Sequence, residues 1–155
     1  MLNYTNTITE EKSYSGLQMK EIKPIMKLII RGKKREFLSA IGKSLNLLLP
    51  TEANTSSRSD KLTALWLSPD EWMVYSNGTI NSESNEYETE NLLNKNVSKK
   101  NLGAVTDVTD QFVLINIKGD KIFDLFETGS PFNFNDFRNK KGSVTQTILA
   151  KIDVI

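Results

Sequence analysis

The sequence predicts an α+β fold with a mixed or antiparallel sheet, and three observations carry that expectation. Short apolar runs of strand length alternate with stretches whose apolar residues recur at helical spacing. Several strand-like runs sit next to each other with only turn residues between them, as in antiparallel sheets. The order that results, β-α-ββ-α-ββ-α-β, is that of a ferredoxin-like, split βαβ arrangement. The 155 residues suit one domain, placed at 21–155 behind a polar, flexible arm at 1–20, or two split βαβ lobes sharing a core. No internal repeat in residue identity supports the two-lobe version.

Taken in order, "IKPIMKLIIRG" crowds apolar residues from Ile25 to Ile30 and reads as a strand ending at Gly32. In "KKREFLSAIGKSLNLLLP", Phe37, Ile41, Leu45 and Leu48 recur at helical spacing. Pro50 stops that run, and Gly42 inside it marks a close packing contact. "TEANTSSRSD" is a polar loop. "KLTALWLSPDEWMVYSNG" reads as strand, turn and strand, closed by Asn-Gly. "NSESNEYETENLLNKNVSKK" is a weakly amphipathic outer helix whose acids precede its bases, matching the helix dipole. "LGAVTDVTDQFVLINIKG" gives two strands joined near Asp110. "DKIFDLFETG" is a short helix with Ile122, Phe123 and Phe126 on one side and Gly129 as C-cap. "SPFNFNDFRNKKG" is a loop, and "SVTQTILAKIDVI" is a single closing strand with an exposed edge.

Composition narrows the chemistry. Hydrophobic residues make up 38% and charged residues 25%, a globular balance. The net charge of +1 supplies no global field for nucleic acid or an anionic membrane. His and Cys are both absent, which removes a Ser-His-Asp triad, a Cys nucleophile and a Cys/His zinc site. It also removes a disulfide framework, in keeping with a reducing, cytoplasmic setting. No run reaches the ~18 apolar residues of a membrane span, and the N-terminus lacks the pattern of a signal peptide.

The hairpin is the most informative stretch. Pro69 suits position i+1 of a turn, so Asp70 and Glu71 form its tip; neighbours at a turn do not flank a substrate atom as an acid/base pair must. A four-residue loop, Ser68 to Glu71, sets Leu67 opposite Trp72, Trp66 opposite Met73 and Leu65 opposite Val74. One face then carries Leu65, Leu67, Trp72 and Val74, and the other Ala64, Trp66, Met73 and Tyr75. Both faces are apolar, so either the ribbon is buried within its own fold or one face is covered by another chain. Trp66, Met73 and Tyr75 are the candidate interface residues. "TDVTDQ" is the densest polar cluster: Asp107 and Asp110 either anchor a cation or a pterin-like ring, or shape a bend through side-chain-to-backbone hydrogen bonds, and the bend is preferred. The basic ends "RGKKREF" and "FRNKKGS" lack aromatic interleaving and read as solvated.

Three of these stretches, "LWLSPDEWMVYS", "GAVTDVTDQFVLINIKGDKIFDLFETGSPF" and "GSVTQTILAKIDVI", resemble the gamma subunit of heterotetrameric sarcosine oxidase in wording, order and spacing. The resemblance implies a fold related to the folate-binding aminomethyltransferase of glycine cleavage. It implies an accessory, non-catalytic chain of a bacterial complex that oxidatively demethylates sarcosine to glycine. The one-carbon unit passes to tetrahydrofolate or leaves as formaldehyde, and hydrogen peroxide is made. Partners implied are alpha, beta and delta subunits. FAD, FMN, NAD, zinc and tetrahydrofolate are implied on those chains, and none on this one. Members of that family continue past the closing strand, so this chain reads as a short or truncated member. The alternatives are a free-standing folate-binding or aminomethyl-transfer protein, anchored through Asp107 or Asp110, and a homo-oligomeric adaptor.

Overall fold

The computed structural model describes residues 5–8, 11–78 and 87–155. In chain order the elements are β1 (Lys12–Tyr14), β2 (Leu17–Glu21), β3 (Lys27–Arg31), α1 (Arg35–Leu45), β4 (Ser56–Arg58), β5 (Leu62–Ser68), β6 (Glu71–Ser76), α2 (Glu88–Asn96), β7 (Ala104–Asp107), β8 (Ile115–Lys118), α3 (Ile122–Gly129), β9 (Thr147–Leu149) and β10 (Ile152–Val154). Short 3-10 turns follow α2 at Ser98–Lys100 and α3 at Asn135–Phe137. Two compact units result. The larger is Ile25–Phe112 with Gly142–Thr145; the smaller joins Met1–Pro24, Val113–Lys141 and Gln146–Ile155.

The larger unit is a five-stranded sheet in the order β4-β5-β6-β3-β7, with every pair antiparallel. Without the edge strand β4, the sequence β3-α1-β5-β6-α2-β7 and its strand order are those of a split βαβ unit. The α+β expectation therefore holds, with an antiparallel sheet. One sheet face carries Leu28, Ile30, Ala64, Trp72 and Val74, and Phe37, Ile41 and Leu45 of α1 and Leu93 of α2 pack on it. Phe37 is fully buried and stacks on Trp72 with ring centroids 5.9 Å apart. A Cβ at Gly32 would come within 2.4 Å of the Phe37 ring, and one at Gly103 within 2.7 Å. These two glycines make room for the ring.

Several expectations need correction here. α1 ends at Asn46, which adopts φ 50°, four residues before Pro50. Beyond it the chain is extended, so Leu47 and Leu49 turn inward while Leu48, expected on the helix's apolar face, is 81% exposed. A Cβ on Gly42 would meet only ordinary contacts at 3.8 Å, so no close packing explains that glycine. The expected polar loop contains β4, an edge strand whose Ser-Ser-Arg sequence carries no apolar signal. Of the helix expected at 81–100, residues 81–86 lie outside the described residues; the remainder forms α2 and its 3-10 turn.

The smaller unit pairs β1-β2-β8 into a three-stranded antiparallel sheet and β9 with β10 into a hairpin. The expected arm at 1–20 is therefore strand from Lys12 onward, while residues 1–4 and 9–10 lie outside the described residues. The signal was present: Tyr14, Leu17 and Met19 share one face at period two, across a Ser15-Gly16 turn. The strands expected to meet near Asp110, β7 and β8, lie in different sheets. The expected closing strand is a hairpin turning at Ala150 and Lys151, with φ of 50° and 71°; neither residue type announces such a turn. Gly129 is not a left-handed cap. A Cβ there would meet Leu149 Cδ1 at 2.9 Å, and its carbonyl accepts from the Ala150 N–H at 2.8 Å. The smaller unit is not a second split βαβ lobe.

The smaller unit's packing centre is a ring cluster. Phe134 lies 4.9 to 6.4 Å, centroid to centroid, from Phe123, Phe126, Phe132 and Phe137. Arg138 sits 5.1 Å over Phe123 and pairs with Glu127 at 2.7 Å.

Candidate partner-docking surface

The hairpin register decides where its side chains point. Ser68 pairs with Glu71 around a two-residue Pro69-Asp70 turn, and an irregularity between Trp66 and Ser68 absorbs Leu67. Trp66 therefore stands opposite Trp72, Leu65 opposite Met73, Ala64 opposite Val74 and Thr63 opposite Tyr75. The expected four-residue loop is shorter by two residues, and every pairing shifts by one position. Both tryptophans lie on the helix-covered face. Trp72 donates from Nε1 to the Pro50 carbonyl at 2.8 Å; Trp66 is half-buried against the main core.

Met73 and Tyr75 lie on the other face. There Leu67, Met73 and Val108 form a second buried cluster with Ile29 and Leu65 beside it. The three candidate residues thus do not share one surface. Met73 is 5% exposed, and only the Trp66 and Tyr75 rings retain accessible area.

The carboxylates at the hairpin tip are committed locally. Glu71 Oε2 accepts from Arg31 at 2.9 Å, and Asp70 lies 3.4 Å from the Lys33 ammonium. Asp70 Oδ1 also accepts from the Ser68 hydroxyl at 2.9 Å. That bond, aided by Lys33, holds the Asp70 carboxyl below its ordinary range. Arg31 is raised by its hydrogen bond and charge contact with Glu71. Two anions, each spoken for by its own cation, are not an acid/base pair.

The Thr-Asp cluster is a bend. Asp107 Oδ1 accepts from the Thr109 N–H at 2.8 Å, and Thr109 Oγ1 accepts from the Lys27 N–H at 3.0 Å. Lys27, buried on this face, donates from Nζ to the carbonyls of Thr109 at 3.0 Å and Ile25 at 3.2 Å. Burial lowers its pKa despite the Asp110 and Asp107 charges. Among the described residues no group of three or more carboxylates is placed to hold a metal ion. Asp107 is thus tied to the backbone of its own bend, the alternative preferred from sequence for this cluster. No helix among the described residues is long and apolar enough to cross a membrane.

Sequence reasoning missed the apolar face of the smaller unit's three-stranded sheet. One face of its three-stranded sheet carries Tyr14, Leu17, Met19, Ile115 and Ile117; the other carries Ser13, Gln18, Lys20, Asn116 and Lys118. Tyr14 is 60% exposed, Ile115 42% and Ile152 of β10 68%. Phe134 is the one buried apolar residue among the described residues of this unit. The available signal was alternation in "KSYSGLQMKE", masked by its polar content.

No curated protein matches the chain. A chain of the solved heterotetrameric sarcosine oxidase from Corynebacterium sp. U-96, in complex with pyrrole 2-carboxylate, superposes with a TM-score of 0.75 at 17% identity, covering 89% of this chain and 68% of that one. At that identity the likeness is one of fold. The family model described as sarcosine oxidase, gamma subunit family, matches residues 32–155.

Proposed function

The chain belongs to the sarcosine oxidase gamma subunit family, and from that premise we propose that it is a non-catalytic subunit of a cytoplasmic, heterotetrameric sarcosine oxidase. Alpha, beta and delta chains are its partners. They carry the flavins, NAD, zinc and tetrahydrofolate chemistry by which sarcosine is demethylated to glycine. One observation carries the subunit reading: a unit with a single buried apolar residue among its described residues leaves Tyr14, Ile115 and Ile152 exposed. A surface of that kind is stabilised by covering it. The engagement of Asp70, Glu71, Asp107 and Lys27 in holding backbone and turn supports a structural role for them. Within the hairpin, Tyr75 supplies half-exposed ring area for a partner on the face where Met73 is buried, and Trp66 supplies such area on the opposite, helix-covered face.

Co-expression with the large flavin-binding subunits tests this. Ile115→Asp and Ile152→Asp are each expected to reduce co-purification at least about tenfold, since burying an unpaired carboxylate costs more than 1.4 kcal/mol. Each variant is expected to leave the circular dichroism of the isolated chain unchanged, because both side chains are exposed. Undiminished co-purification of both would reject docking through the smaller unit. Failure of the native chain to co-purify would reject the subunit reading itself.

A further inference from the structure

A groove of about 540 Å³ is lined by residues of α1, the end of α2 and the 3-10 turn that follows it. Its rim carries three cations, Arg35, Lys43 and Lys100, against one acid, Glu36. Among the described residues none of the three cations has an ion-pair partner, whereas Arg31, Lys33 and Lys20 each have one and Arg138 has two. Polar groups lie between them. Asn96 Nδ2 donates to Ser44 Oγ at 3.0 Å, which uses an oxygen lone pair and leaves the Ser44 hydroxyl hydrogen to donate elsewhere. Ala40 and Leu102 supply an apolar part of the lining.

Like charges gathered around one concavity repel one another, and a bound anion relieves that repulsion. The volume lies in the range of small-molecule sites. We propose that this groove binds a small multivalent anion, a phosphate ester or a polycarboxylate, with Arg35, Lys43 and Lys100 as charge partners and Ser44 as hydrogen-bond donor. Arg35 suits the planar, forked geometry shared by carboxylate and phosphate, and the lysines act as point charges. The site lies within the larger unit, shares no residue with those assigned to docking, and stands independently of the subunit reading.

Isothermal titration of the full chain with inorganic pyrophosphate and with citrate, at low and matched ionic strength, tests the proposal. Saturable binding on the order of 0.1 mM is expected for at least one of them, weakening as salt is raised because the cations are exposed. Lys43→Gln with Lys100→Gln is expected to weaken binding at least about tenfold, while Lys61→Gln, outside the groove, changes it less than about twofold. Binding of pyrophosphate alone assigns a phosphate ester, and of citrate alone a polycarboxylate. No saturable binding of either, or equal losses in the groove and control variants, would overturn the proposal. So would binding of a hexaglutamate peptide with neither small anion, which would make the groove a protein contact.

Discussion

Lys27 is buried at a position where a methionine or leucine would be ordinary, opposite Tyr75 on the sheet face away from α1 and α2. It is kept by its two carbonyl acceptors, which tie the start of β3 to the bend after β7. Because burial lowers its folded pKa below the ordinary 10.5, the native state releases this proton before the unfolded chain does. Between those two pKa values the unfolded state binds more protons, so stability rises with pH across that window. Below the folded pKa the cost of holding the charge is fully present and constant. We expect the unfolding free energy of the native chain, relative to Lys27→Met, to be level around neutrality and to rise as pH approaches 10.5. Urea titrations across that range would show it; a difference that stays level throughout would remove the desolvated ammonium from the explanation. The turn roles of Asp70 and Asp107 were legible from sequence because turn chemistry is local, whereas Glu71, expected at the tip, is the first residue of β6. Lys27 was not legible, because nothing near it in sequence reveals a partner at Thr109.

Elements were legible where periodicity was strong. α1, β3, β5, β6 and α3 follow directly from apolar spacing. The hairpin register was not, because a two-residue turn with an absorbed Leu67 and a four-residue turn use the same letters, and one position exchanges the faces. That exchange moved Trp66 from the Met73 side to the Trp72 side. β4 escaped because an edge strand can be wholly polar, and the β9–β10 hairpin because Ala150-Lys151 lacks turn residues. Gly42 gives a clean test at this scale. It sits inside α1 with space for a methyl group, so Gly42→Ala is expected to raise stability by about 1 kcal/mol through backbone entropy and helix propensity. Thermal or urea unfolding checks this, and a loss of stability would mean that α1 needs the glycine after all.

At the scale of the molecule the two units differ in kind. The larger has a continuous core of fully buried side chains, among them Phe37, Leu28, Ile30 and Ile41. The smaller depends on one phenylalanine cluster and a sheet with a half-exposed apolar face. Local opening should follow that contrast. Amides of β2 and β8 are expected to exchange with solvent at least about 100-fold faster than those of β3 and β6 in the isolated chain, and to slow when the partner subunits are added. Hydrogen-exchange mass spectrometry reads both changes; equal protection in the two sheets would contradict it. The sequence disclosed a βαββαβ order but not that one unit is assembled from three separated segments, since segment pairing over long distances leaves no local mark.

That discontinuity also sets a timetable. The β1–β2 hairpin has no third strand until β8 exists, because Glu21 pairs with Ile115. At ordinary rates of synthesis the ribosome needs roughly 5–20 s to make the intervening chain. During that interval Leu17 and Met19 lack the strand they will lie beside, while everything required for the split βαβ sheet emerges. Once that sheet forms, the Val108 N–H meets the Lys27 carbonyl at 2.9 Å, and the two ends of the long excursion lie side by side. The remaining loop to close is short, and its entropic cost small. The larger sheet thus brings the two ends of the excursion together before β8 pairs, and a codon-level pause before β8 would lengthen the time that the β1–β2 hairpin stands without its third strand.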